Sequence, residues 1–143
     1  MEPKPFCREE ISSWYLSSDT RIDESTLIKF GFKKFAHIEE TNCAGHFSFD
    51  VFNRPIFRKG ELLLEVRYSS FNGYAGMFIT NESKQLSYPI YESWNYSIDG
   101  KGFKSFIRHR VLKMQASMEA GYIPNRINKS WMFESDSKII TYY

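Results

Sequence analysis

Hydrophobic residues change their period twice along the chain. Near the start, Ile11, Trp14 and Tyr15 fit one helical turn, and Asp23 is placed to cap a short helix carrying Leu27, Ile28 and Phe30. That helix is expected to stop at Gly31, because a left-handed residue after a helix costs glycine least. From Lys33 to Ile98 the period is two. Phe47, Phe49 and Val51 alternate with His46, Ser48 and Asp50, and Leu62, Leu64, Val66 and Tyr68 alternate with Glu61, Glu65 and Arg67. These patterns predict half-buried strands, and Lys33 to Ile38 predicts another. Phe71-Asn72-Gly73-Tyr74 predicts a two-residue type I′ hairpin turn, whose central residues both take positive φ. Tyr88, Ile90, Trp94, Tyr96 and Ile98 then give a last strand with one dry face and one wet.

After Asp99-Gly100 the period returns to 3.6. Phe103, Ile107, Val111, Met114 and Met118 fall within an arc of about 80° on a helical wheel. This predicts a helix over 103–120, closed by Gly121 with Pro124 behind it. A striped helix and a one-sided sheet cover each other. The expected fold is therefore α+β in two layers: an antiparallel β-meander of four or five strands covered by a C-terminal amphipathic helix, with a short N-terminal helix. No repeat, low-complexity tract or Gly/Ser linker divides the chain, so one domain over 1–143 is expected. The tail from Lys138 to Tyr143 is β-prone and suits a sheet edge or a partner.

At 143 residues and 42% hydrophobic the chain can bury about two thirds of its unfolded surface, so a core needs neither a disulfide nor a metal. No apolar run reaches 18 residues, and Met1 to Phe6 has neither the basic start nor the apolar centre of a signal peptide. The expectation is a cytoplasmic protein with no membrane partner and with Cys7 and Cys43 reduced. Abundant Lys, Ile, Asn, Phe and Tyr beside five Ala suggest an AT-rich genome.

The net charge of +2 is too small for a general polyanion binder, but it is unevenly distributed. Residues 1–28 hold six acids against three bases, whereas 101–129 hold seven bases against Glu119 alone, which is −3 against +6. The segment Lys101, Lys104, Arg108, Arg110, Lys113 has no acid within it. Lys101 and Lys104 oppose the helix macrodipole there by a few tenths of a kcal/mol each. On the wheel Lys101, Lys104 and Arg108 line one flank of the apolar stripe, and Arg110 and Lys113 line the other. Either the segment is a solvated helix with its stems draped over the sheet rim, or it is a surface for a polyanion or an acidic partner. Arg54, Arg58 and Lys59 in the expected Pro55-Gly60 loop, with Phe57 among them, form a second basic-aromatic cluster of the kind that suits single-stranded nucleic acid or an ordinary loop.

Cys43-Ala-Gly-His46 has a spacing zinc can use. Only Cys7, His37 and His109 are left as further soft ligands, so the run reads as a turn before a strand and no metal or cofactor is expected. Cys43 as a nucleophile beside His37 or His46 lacks a placed orienting acid. The adjacent Glu39 and Glu40 point to opposite faces of a strand and cannot share a substrate. Phosphate-loop, dinucleotide, zincin and nucleophile-elbow motifs are absent. The reading is a small non-enzymatic binding protein, of the accessory or inhibitor kind found in phages and mobile elements. It docks its basic helix on a nucleic-acid-handling protein machine or on RNA or DNA. The alternative is a small nuclease or RNA-processing enzyme, with His46 or His109 as base beside Arg108 or Arg110. The oligomeric state is left open.

Overall fold

A computed structural model describes residues 4–17, 22–42, 45–57, 62–68, 75–80, 87–93, 99–122 and 137–143. Six strands form one sheet: β1 (Lys33–Asn42), β2 (Gly45–Phe57), β3 (Leu62–Tyr68), β4 (Ala75–Thr80), β5 (Ser87–Ser93) and β6 (Ser137–Tyr142). Their order is β5-β4-β3-β2-β1-β6, with every neighbouring pair antiparallel. The meander is the expected one. The sixth strand is the C-terminal tail, which adds to the outer edge of β1 with Ile38 opposite Ile140. The sheet curls into a half-barrel with a C-terminal helix of 20 residues, so the fold is α+β. Two short helices complete it: α1 (Arg8–Ser13) packs against the long helix and α2 (Glu24–Lys29) against β1.

Local signals set the helix ends. Asp23 Oδ1 accepts from the Thr26 N–H at 3.0 Å. That bond holds the Asp23 carboxyl below its ordinary value, so the cap's contribution is present at neutral pH and is lost as the pH falls through the lowered value. Gly31 (φ +85°) and Gly121 (φ +102°) close their helices in the same way. Phe32 N–H donates to Leu27 O and Gly31 N–H to Ile28 O, while Tyr122 N–H donates to Ser117 O and Gly121 N–H to Met118 O. Of the first apolar patch, Ile11 and Trp14 are buried, but Tyr15 is 95% exposed.

The long helix begins as α3 (Gly100–Phe106), widens into a π turn over Ile107–Val111 and resumes as α4 (Leu112–Glu119). Its buried positions are 103, 107, 111, 115 and 118. Residues four apart drift by about 40° per step in an α-helix, so three such steps carry the stripe off the sheet. One wide turn, with its extra residue, brings it back. The consequence is that Gln115, rather than Met114, is buried. Phe103, Ile107, Val111 and Met118 meet Phe52, Leu64, Val66, Met77 and Ile79 of the sheet in one core, each worth about 1.5–3 kcal/mol.

Gln115 acts as a clamp. Its Oε1 accepts from Phe6 N–H at 3.0 Å and its Nε2 donates to Phe6 O at 2.8 Å, which holds the N-terminal segment on the helix. Replacing Gln115 with Leu strands both backbone groups and should cost about 1–3 kcal/mol for each. An unchanged thermal midpoint would show that Phe6 finds other partners.

One expectation changes and another lies outside the described residues. The sheet is not wet on its second face: β3 is buried on both sides, with Glu65 and Arg67 shut off from water, and Ala36, Ile38, Phe49 and Val51 form a second apolar cluster. The predicted Asn72-Gly73 turn lies outside the described residues. The strands on either side of it do pair, with Tyr68 opposite Ala75.

Candidate functional site

The π turn fixes what the basic segment presents. Ile107 and Val111 at its two ends are both buried, so the three residues between them, Arg108, His109 and Arg110, are all exposed. Lys101 and Lys113 are exposed on the same helix. Among the described residues none of Lys101, Arg108, Arg110 and Lys113 has a carboxylate within ion-pair distance. The Arg110 guanidinium lies 5.7 Å from the centre of the Phe106 ring. Sequence reasoning placed the flanking charges on two sides of the stripe. The wide turn gathers three consecutive side chains on the solvent side, and the four-residue spacing of Phe103, Ile107 and Val111 was the signal for it.

Lys104 behaves differently from its neighbours. It is half-buried, and its Nζ donates to the Trp14 carbonyl at 2.7 Å, satisfying the end of α1. The Lys101 N–H donates to Ser17 O at 3.1 Å, and Trp14 packs its ring 6.2 Å from Phe103. The start of the long helix is thus docked on the N-terminal segment, and Lys104 belongs to that joint.

Arg54 is not a surface cation. β2 runs straight through Pro55, with a register shift between Pro55 and Phe57, so Arg54 lies inside a strand and is only 4% exposed. Its Nη1 and Nη2 grip the Glu10 carboxylate at 2.6 and 2.7 Å, Nη1 also donates to Phe30 O at 2.6 Å, and Nε donates to Lys4 O at 3.0 Å. The guanidinium stacks 3.9 Å from the centre of the Phe6 ring. Arg58 and Lys59, the rest of that expected cluster, lie outside the described residues.

The histidines separate. His46 Nδ1 bonds to Thr41 Oγ1 at 3.1 Å at the end of the β1–β2 hairpin, and His109 stands on the outer helix face. Neither has an arginine hydrogen-bonded to it among the described residues. Cys7 is an exposed thiol and Cys43 lies outside the described residues. Among the described residues no three His, Cys, Asp or Glu side chains are placed to hold a metal ion. His37 faces Asp50 and Ser48 across the β1–β2 pair. As expected, Glu39 and Glu40 point apart: Glu39 is exposed and Glu40 is buried on the opposite face. No helix among the described residues is long and apolar enough to cross a membrane. No protein-family model, curated protein or solved structure matches the chain.

Proposed function

We propose that the protein acts by binding, as a cytoplasmic accessory or inhibitor protein of phage or mobile-element type. It docks the exposed basic face of its C-terminal helix on a nucleic-acid-handling protein machine or on that machine's RNA or DNA. The observation that carries this reading is the row Arg108-His109-Arg110, held outward by a π turn whose two ends are anchored in the core. Wide turns of this kind are found frequently at functional sites, because they trade a regular ladder for side-chain placement. Exposed cations that no described carboxylate neutralises leave their full field for a partner. An exposed helix row favours docking over the nuclease reading, which asks for a histidine and an arginine converging in a cleft.

Arg108 and Arg110 are the positions to reverse, because both are exposed, whereas Lys104 is half-buried and bonded to the Trp14 carbonyl. The Arg108→Glu/Arg110→Glu variant should keep its circular dichroism spectrum and lose binding. Titrations of wild type and variant against a short RNA, a short DNA and a partner captured from the host, at several salt concentrations, check it. If nucleic acid is the ligand, log affinity falls linearly with log salt, and the slope becomes shallower by about 0.7–0.9 for each phosphate that the variant no longer neutralises. A protein groove gives a shallower dependence from the start. A folded variant that binds all three as tightly as wild type leaves the helix as a solvated rim.

A further inference from the structure

The geometry points to Ser48 as a nucleophilic serine, with His37 as its general base and Asp50 as the group that positions His37. The arrangement follows from sheet register. Asp50 and Ser48 are two apart on β2 and so share a face, and His37 of β1 lies directly opposite Asp50. The imidazole therefore stands between them. A carboxylate only accepts, so Nδ1–H donates to Asp50 Oδ1 at 2.7 Å; in the neutral imidazole Nε2 is then the acceptor, and Ser48 Oγ lies 3.3 Å from it. Nucleophile, base and orienting carboxylate thus follow one another within hydrogen-bond reach, the relation by which such sites are recognised on unrelated folds. His37 and Asp50 keep 31% and 26% of their side-chain surface, so the relay is held by its neighbours yet open to a small molecule.

The surrounding charge selects the substrate. Glu39 Oε1 is 3.9 Å from His37 Nε2, on the side where the proton arrives. Lys34 Nζ lies 3.9 Å from Asp50 Oδ1 and 2.6 Å from Glu24 Oε1, so its one positive charge is shared between two carboxylates and leaves the cluster net negative. Three carboxylates around one lysine repel anions. The substrate class is a small neutral ester, not a phosphodiester, and the site is distinct from the basic helix.

In the reaction, Ser48 Oγ bonds to the ester carbonyl carbon while Nε2 takes its proton. The ester C–O bond breaks and the departing alcohol takes the proton from Nε2. Water then gives a proton to Nε2 and its oxygen to the acyl carbon, and Ser48 Oγ leaves with that proton, releasing a carboxylic acid.

The test is covalent labelling by an uncharged alkyl fluorophosphonate, with the adduct located by peptide mass spectrometry. Wild type should carry one adduct, at Ser48. Labelling should fall about 10²- to 10⁴-fold in His37→Ala, the range a general base supplies, and less in Asp50→Asn. Ser48→Ala should take no label, with circular dichroism showing that the variants are folded. Absence of a Ser48 adduct in the folded wild type, or labelling of Ser48 at the same rate in folded His37→Ala, overturns the assignment, whatever the basic helix binds.

Discussion

Replacing Arg54 with Met should lower the stability by about 3 kcal/mol. The stem keeps its apolar packing in such a variant, so the change removes the guanidinium alone. That group ties three segments to β2: α1 through Glu10, the N-terminal segment through the Lys4 carbonyl, and the end of α2 through the Phe30 carbonyl. Without it the Lys4 and Phe30 carbonyls lose this donor. Glu10 keeps 30% of its side-chain surface and regains water, which places the loss at the lower end of the range for broken buried pairs. Arg54→Lys should recover only part of the loss, since an ammonium cannot grip both carboxylate oxygens while reaching Phe30 O. Gly31 depends on the same arrangement, because a Cβ there would come within 2.9 Å of Arg54 Nη1 and would also sit at φ +85°. Urea denaturation with an unchanged m-value reads the effect. A midpoint equal to wild type would mean that the three segments dock without the arginine.

What the sequence made legible was whatever depends on near neighbours. The Asp23 cap and the glycine closures at Gly31 and Gly121 are decided within six residues, so they could be read directly. The alternation in β2 and β3 was equally plain. What it could not say is whether the polar phase faces water, because that depends on what lies over the sheet, and Glu65 and Arg67 are buried in it. Arg54 was hidden by Pro55, which reads as a turn unless a bulge lets the strand continue, although Phe52, Ile56 and Phe57 around it are strand formers. The Ser48, His37 and Asp50 relay needed one more fact. Asn42 pairs with Gly45, so the hairpin is centred between residues 43 and 44, and that centre alone sets His37 opposite Asp50. Reading Cys43 to His46 as a turn came close to it without fixing the centre.

The buried Glu65–Arg67 pair should show the largest loss from a single substitution and a partial recovery from a second. The two residues are two apart on β3, so they share the face opposite the long helix, and Arg67 Nε donates to Glu65 Oε2 at 2.6 Å. Arg67 also lies 4.5 Å from the centre of the Phe78 ring and 5.6 Å from that of Phe49. Arg67→Met takes from the Glu65 carboxylate, 2% exposed, the guanidinium that donates to it at 2.6 Å and should cost about 3–5 kcal/mol. At this chain length that is a fall in melting temperature of roughly 4 °C per kcal/mol. Glu65→Leu in addition removes the buried charge, and the double variant should recover most of the loss, because a well-packed apolar pair at such a site is often as stable as the ion pair. The double-mutant cycle isolates the coupling. Strictly additive losses would show that the two side chains do not depend on each other. The pair also bears on register: a slip of β3 by one residue would turn both charges into the core against the helix and turn Leu64 and Val66 out of it, so the same two residues oppose the misaligned sheet.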